Sequence, residues 1–296
     1  MNTEQRASGK VCRAVRLVSI AVIGAAVVSM GGVAHAQQRP LVTEDPETIG
    51  AGRILIEAGM TAEHDAVFPV SGLVGNRWVV PTLGVSIGVS SIAEIQVDGS
   101  PYQRLYITQR RRAPLDDLLM ISGDTTTDVE DIVVAAKIRI VPETAGRPAF
   151  GVRFATQLPD ASNESGLGTD LTSFYVSLLI AKTVQSVRIV GNAGGAILGD
   201  PTGGVPEQND LLTYGISFAR ALTAEGEIVA EINGRYNNSA IDDVGSETRA
   251  MFRVGGRYTR GPVRVDGGLL LGMTARDPDI GFTAGVTWVF NAFRVP

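Results

Sequence analysis

The sequence predicts an all-β protein, namely a transmembrane antiparallel β-barrel of about 12 strands with short periplasmic turns and longer extracellular loops. Three observations support this fold class. An export signal opens the chain, the remainder alternates apolar and polar residues with period two, and short and long connections alternate between these segments. A closed barrel pairs its backbone groups between neighbouring strands, which the bilayer interior requires.

The composition excludes several classes of partner and site. The 296 residues contain 26 Lys and Arg against 31 Asp and Glu, and a net charge of −5 argues against a nucleic-acid partner. One cysteine, Cys12, and two histidines, His35 and His64, are too few for a cysteine-based zinc site or a multi-histidine metal site. We therefore expect no metal and no cofactor.

Residues 1–36 have the three parts of a cleavable secretory signal. Basic residues up to Arg16 precede an apolar stretch at 17–28, and small residues then end in Ala34-His35-Ala36, an A-x-A cleavage pattern. The alternative is a membrane anchor, but this stretch is shorter than the roughly 20 residues of a spanning helix. We expect a mature chain that begins at Gln37, carries a net charge of −8 and reaches the outer membrane of a Gram-negative cell.

Twelve later segments alternate between an apolar and a polar series. In one of them, Ile228 and Ile232 share one parity, whereas Glu227 and Glu231 share the other. Successive side chains of a strand point to opposite faces, so each segment has one apolar and one polar face. The segments are 52–62, 78–89, 91–109, 129–141, 148–158, 171–183, 186–198, 210–222, 226–237, 247–259, 263–274 and 280–290. The long segment 91–109 is either two pieces or one; if it is one, Ala93 and Leu105 share its apolar face.

The connections predict the topology and its boundaries. Short turns lie near 90, 142–147, 184–185, 223–225 and 260–262, and mostly longer ones at 63–77, 110–128, 159–170, 199–209, 238–246 and 275–279. This alternation is typical of an outer-membrane barrel. We expect a periplasmic N-terminal segment at 37–51, the barrel at 52–290 and a C-terminal tail at 291–296. The alternative is a soluble sandwich, but strands of about eleven residues match a tilted membrane crossing, whereas sandwich strands have about five or six.

The last segment carries a pattern for assembly. From Thr283 to Phe290 it reads polar, x, Gly, x, x, aromatic, x, aromatic. This resembles the C-terminal signal by which the barrel-insertion machinery recognises outer-membrane proteins. Trp288 and Phe290 would then face outer-membrane lipid near the periplasmic interface, where aromatic rings are favoured.

Several short motifs together resemble the family of outer-membrane proteins named for phenol degradation by the MetA pathway, often called transporters. They are RPLVTED at 39–45 ahead of GAG at 50–52, PTLG at 81–84 with AEI at 93–95, the segment 131–139, and GLGTD at 166–170. The resemblance implies a barrel that passes small molecules, often aromatic or apolar ones. It supplies no catalytic residues.

A lipid-modifying enzyme of the outer membrane is a rival function. Such barrels use a histidine with a serine, and the mature chain offers only His64, at the end of the first segment. A lone loop histidine is more often a solvated surface residue, so we expect no catalytic residues and no enzyme.

The polar face would line the lumen, where a function would lie. In a hairpin centred near residue 242, Glu231 faces Arg253, Glu227 faces Arg257, and Arg235 faces Arg249. Opposite charges across strands stabilise a sheet, whereas the last pair would leave an unpaired basic spot. The candidate lumen-lining residues are Glu227, Glu231, Arg235, Arg249, Arg253, Arg257, Arg264 and Asp266.

Two arrangements of these charges remain open. In one, they form a network that plugs the barrel, which then has a structural or anchoring role. In the other, the basic ladder Arg249, Arg253, Arg257 and Arg264 lines a narrow path for small-molecule solutes. Eight strands are just filled by side chains, and 16–18 leave a wide channel, so twelve strands allow either arrangement.

Overall fold

The computed structural model describes residues 39–201, 208–237 and 244–294, which form an antiparallel sheet. The predicted signal at 1–36, the predicted start at Gln37 and the last two residues of the predicted tail lie outside the described residues. Within the described ranges, fourteen strands are present: β1 Arg53–Phe68, β2 Leu73–Gly88, β3 Ala93–Gly99, β4 Gln103–Arg110, β5 Thr125–Asp128, β6 Val133–Val141, β7 Ala149–Gln157, β8 Ser173–Val184, β9 Val187–Gly199, β10 Gln208–Ala221, β11 Gly226–Tyr236, β12 Arg249–Arg260, β13 Val263–Gly272 and β14 Ile280–Asn291.

The sheet closes into a barrel of twelve strands, as the sequence predicts. β3 and β4 are halves of one barrel strand, because both pair with β2. β5 and β6 are halves of the next, because they pair with β4 and β3. The ring closes between β1 and β14, from Arg53 opposite Asn291 to His64 opposite Ile280. Closure removes the open sheet edges that a bilayer could not solvate.

Burial in this barrel is inverted relative to a soluble protein. Phe154, Phe174 and Leu178 are more than half exposed on the outer surface, at 51%, 53% and 65%. The side chains of Lys137 and Glu231 lie inside, each with 1% exposure. An apolar outer surface around a charged interior is the arrangement of a membrane-spanning barrel and excludes the soluble sandwich. None of the described residues form a helix that is long and apolar enough to span a membrane.

The first hairpin is longer than the sequence predicts. We expected a loop at 63–77, but β1 continues to Phe68 and β2 begins at Leu73, so residues 69–72 alone connect them. The pairing register shifts between Glu63 and Ala66, where Asp65 adopts φ 53°. An extra residue at such a bulge reverses the alternation of side chains. A strict period-two pattern therefore stops at the bulge although the strand continues.

The expected single parity of the segment 91–109 is wrong. Leu105 is fully buried on the inner face, whereas Arg104 lies on the outer face with its guanidinium carbon 4.6 Å from the centre of the Tyr106 ring. The cause lies in the register between β1 and β2, which shifts by one residue between Gly59 and Thr61. This shift reverses the parity of β2, and the neighbouring strand follows it across the break between β3 and β4.

Candidate functional site

The inward side chains of β11 and β12 have the predicted register. Glu227 lies opposite Arg257, and Glu231 lies opposite Arg253. The N–O separations within these pairs are long for ion pairs, 3.8 Å from Arg257 Nη1 to Glu227 Oε2 and 3.6 Å from Arg253 Nε to Glu231 Oε1. Both pairs are loose because other groups compete for the same side chains.

The competing groups belong to residues 39–51, which lie inside the barrel and which we call the lumen segment. We expected residues 37–51 in the periplasm; the described part of that range crosses the lumen instead. The backbone N–H groups of Val42 and Thr43 each donate to the Glu231 carboxylate over 2.9 Å. Arg257 Nε donates to the carbonyl oxygen of Arg39 over 2.6 Å. The lumen segment therefore binds Glu231 and Arg257, which would otherwise pair only with charged side chains of the wall.

Acidic side chains of the lumen segment pair with basic side chains of the wall. Glu44 lies 3.2 Å from Lys137 Nζ and 3.1 Å from Arg153 Nε. Asp45 accepts two hydrogen bonds from Arg188, over 2.7 and 2.8 Å. A further carboxylate, Glu47, pairs with Arg139, which lies nearer the short-turn end of β6. These contacts also stabilise the wall, because Lys137 and Arg153 are like charges directly opposite each other on β6 and β7.

Arg39 holds the far end of the described segment against the opposite wall. Its guanidinium donates to the Thr82 hydroxyl over 3.0 Å and to the Ala284 carbonyl over 2.8 Å, and it lies 3.5 Å from Asp266. A β-carbon on Gly285 would lie 2.5 Å from Arg39 Nε, so a larger residue there would displace the guanidinium from this position. Wall and segment are therefore complementary in shape as well as in charge.

Two cavities of about 500 Å³ each occupy the lumen beyond the segment. The cavity next to the segment is lined by Arg39, Val42 and Glu44 among others, and the second extends to the long-loop end of the barrel. Residues 69–71 and the loop after β7 form part of the wall of the second cavity, and there Ser71 Oγ donates to the Gly166 carbonyl over 2.7 Å. Arg253 lines both cavities.

The remaining predicted lumen residues are also placed inside the barrel, but they do not form a continuous ladder. Arg235 is not an unpaired basic spot, because it donates to the carbonyls of Gly245 and Glu247 over 2.8 and 3.0 Å. Arg249 lies opposite it and donates to the Val67 carbonyl over 3.1 Å. Arg264 is 4% exposed and donates to Thr259. Arg257 contacts the lumen segment, and neither Arg257 nor Arg264 lines either of the two cavities.

A separate charge cluster marks the short-turn rim. Glu143, in the turn between β6 and β7, accepts a hydrogen bond of 2.8 Å from the Thr183 backbone N–H and pairs with Lys182 and Arg188. Partial burial acts to raise the pKa of Glu143, but these hydrogen bonds and cations outweigh it and hold the pKa below its ordinary value of 4.5. The cluster ties the rim to Arg188, which also holds Asp45.

His64 lies at the bulge of β1. Its Nδ1 is 2.6 Å from Asn76 Oδ1, and its Nε2 is 3.7 Å from Asp65. In the part of the chain that the structure describes, no three His, Cys, Asp or Glu side chains are grouped so that they could hold a metal ion.

Sequence reasoning missed the lumen segment and its carboxylates Glu44, Asp45 and Glu47. A signal for them was present. The wall strands place Lys137 opposite Arg153, and like charges directly across strands destabilise a sheet unless a counter-charge lies between them. Glu94 on the neighbouring strand supplies one counter-charge to Lys137, and the short acidic stretch just before the first strand is a further source.

No family model matches the chain, and no curated protein matches it. The resemblance to the phenol-degradation family therefore rests on its sequence motifs alone. Among solved structures, the translocator domain of the autotransporter NalP from Neisseria meningitidis is 12% identical with a TM-score of 0.45, over 81% of this chain and 89% of that chain. LpxR from Salmonella typhimurium is 11% identical with a TM-score of 0.42, over 80% and 100%. The Ralstonia pickettii toluene transporter TbuX is 9% identical with a TM-score of 0.40, over 84% and 92%. These TM-scores are all below 0.5. The description of the architecture therefore rests on the strand pairing observed in this chain.

Proposed function

We propose that the protein is an outer-membrane channel for small solutes and that the lumen segment is its gate. The observation that carries the proposal is the position of this segment, which side-chain contacts hold across a barrel that otherwise contains two cavities. A wall strand could leave only by breaking its ladder of backbone hydrogen bonds. The segment can leave by exchanging side-chain contacts for water, so it is the part of the lumen best suited to open.

The same barrel supports a location in the outer membrane with the short turns on the periplasmic side. The apolar outer surface fits membrane lipid, and the short turns fit the periplasmic side. Trp288 is 47% exposed on the outer face of β14, with its ring centre 4.4 Å from that of Phe290. This aromatic pair on the outer face supports the proposal that the stretch from Thr283 to Phe290 engages the barrel-insertion machinery.

The cavity walls indicate the kind of solute. Charged side chains such as Arg249 and Arg253 alternate with apolar ones such as Phe68 and Met251. We therefore propose solutes that carry a charged or polar group on a small apolar body. The aromatic solutes that the family resemblance implies fit this description when they carry such a group.

A permanently plugged barrel with a structural role is the second candidate. The observation in its favour is the burial of Lys137 between Glu44 and Glu94, with Nζ–O distances of 3.2 and 2.9 Å. Breaking such a buried pair by removing one partner costs about 3–5 kcal/mol. A plug held this firmly would open rarely.

Single-channel recording in planar bilayers separates the two functions. The wild type should show brief, infrequent openings, and Asp45→Asn combined with Glu47→Gln should raise the open probability at least tenfold, because both anchors to Arg188 and Arg139 are weakened. Asp117→Asn combined with Glu164→Gln is the matched control, since both carboxylates are on the exposed surface. A double variant at the anchors that stays as silent as the control would contradict the gate and favour the structural role.

A further inference from the structure

We propose that the cavity at the long-loop end is a binding site for small organic carboxylates, held between Arg249 and Arg253. This inference deepens the proposed function and rests on it for its biological meaning, since the bound carboxylate would be the solute that the channel passes.

Arg249 and Arg253 are inward residues of the same strand and line the same cavity. They are four residues apart, which corresponds to about 13 Å along a strand. The Nε atoms of both are buried and have no hydrogen-bond partner within the described residues. Two guanidinium groups thus line one cavity, and each has a buried nitrogen without a partner in the described structure.

Neither arginine has a well-formed counter-charge. Within residues 39–201, 208–237 and 244–294, Arg249 has no carboxylate within 4.0 Å, and its hydrogen bond goes to the neutral carbonyl of Val67. Arg253 has Glu231 at 3.6 Å, but the Glu231 oxygens already accept three hydrogen bonds from the N–H groups of Val42 and Thr43. The docked lumen segment therefore weakens the pairing of Arg253 with Glu231. The positive charge of Arg253 is then available to a ligand in the cavity.

Four carboxylates line the same cavity, and each is held by its own partners. Glu63 pairs with Arg77, and Glu247 pairs with Arg235. Asp131 accepts hydrogen bonds from Gln157 and the Ala161 N–H, and Asp277 accepts them from the Ala250 and Thr274 N–H groups. These hydrogen bonds fix Asp131 and Asp277 in place but leave their negative charges. The site therefore favours an anion locally, where Arg249 and Arg253 lie, and not across the whole cavity.

Two further features narrow the ligand class. Asn233 lies opposite Met251, between the two arginines, and its Oδ1 is buried without a hydrogen-bond partner in the described structure. It can accept a hydrogen bond from a hydroxyl or amino group of the ligand. Met251 and Phe68 line the same cavity and offer apolar contact. Because a planar carboxylate matches the fork of donors on a guanidinium, a small carboxylic acid with an apolar body fits best.

Calorimetric titration of the full mature chain in detergent tests the site without requiring transport. The probes are benzoate and lactate, each compared with its neutral amide of nearly equal size, benzamide and lactamide. The acids should bind and the amides should bind at least tenfold more weakly. Arg249→Gln and Arg253→Gln should each weaken benzoate binding at least tenfold, and Arg249→Lys, which keeps the charge but loses Nε, should fall between. Arg260→Gln, an exposed change at the end of the same strand, is the control.

Three results would overturn the proposal: equal affinity for benzoate and benzamide, an unchanged Kd in both glutamine variants, or competition by inorganic phosphate that is as strong as that by lactate. Each variant must keep the heat-dependent gel shift of a folded barrel, and Arg249→Lys keeps the test valid if a glutamine variant does not fold. Failure of the site and failure of the channel are distinguishable. A protein that binds benzoate but never conducts retains the site and loses the channel, whereas one that conducts without binding does the opposite.

Discussion

Substituting Glu44→Gln should release the lumen segment more than any other single neutralisation within it. The Glu44 carboxylate is 6% exposed and pairs with both Lys137 and Arg153. Removing one partner of a buried ion pair costs about 3–5 kcal/mol, and the lower end applies because Lys137 keeps Glu94 at 2.9 Å. A loss of about 3 kcal/mol shifts an equilibrium roughly 100-fold. Because no strand is broken and Glu94 still accompanies Lys137 in the wall, most of the cost falls on docking of the segment.

Thiol labelling measures this release directly. The only cysteine of the chain, Cys12, lies in the predicted signal, so Thr43→Cys would introduce the only thiol of the mature protein. Thr43 is 6% exposed in the docked segment. Labelling by a membrane-impermeant maleimide should be slow in the Thr43→Cys background and about 100-fold faster when Glu44→Gln is added.

The matched control adds Glu164→Gln, the same chemical change on an exposed loop carboxylate, to the Thr43→Cys background. It should leave the labelling rate within twofold of the parent. Equal labelling rates in the Glu44→Gln and Glu164→Gln variants would refute the reasoning, because the buried ion pairs would then contribute nothing to docking of the segment.

Three further predictions concern the barrel. Leu178→Arg places a charge on the lipid face and should cost about 2–4 kcal/mol of folding free energy in lipid vesicles, whereas Glu164→Arg in a loop should cost under about 0.5 kcal/mol; similar losses would contradict the assigned outer face. Trp288→Ala with Phe290→Ala should slow assembly several-fold, measured in cells as loss of the heat-modifiable form, and unimpaired assembly would remove the proposed role of the last strand. Glu143→Gln should lower stability at neutral pH but not well below pH 4.5, because a lowered pKa contributes stability that is lost as the pH falls through the folded-state value; a deficit independent of pH would contradict that account.

The strands and their register could be predicted from the sequence because one rule governs both. Each strand must present one apolar face to lipid, so the alternation of residues such as Ile228 and Glu231 fixes strand position and orientation together. The same parity places Glu231 opposite Arg253 and Glu227 opposite Arg257, as the structure confirms. Prediction failed at the bulges, at Asp65 in β1 and at Pro81 in β2, because one extra residue in either strand reverses the parity of the residues that follow, and a strict period-two count does not allow for it.

The site could be predicted only in part. The inward charges of the wall follow from parity, but the lumen segment has no periodicity of its own, because it is neither a strand nor a helix. Its position is set by tertiary contacts, such as Asp45 with Arg188 and Thr43 with Glu231, which join residues more than 140 positions apart. Such contacts form only when the barrel has closed around the segment, so the local sequence does not reveal them.

The most direct test of the gate is to lock the lumen segment in place with a reversible cross-link. A β-carbon on Gly215 would lie 3.5 Å from the Thr43 β-carbon, within the range of about 3.5–4.5 Å that a disulfide requires. Single-channel recording of Thr43→Cys combined with Gly215→Cys should show no openings when oxidised, and openings should appear within the same recording after a reducing agent is added. Conductance that is the same before and after reduction, with the cross-link verified by mass spectrometry, would contradict the claim that this segment gates the barrel.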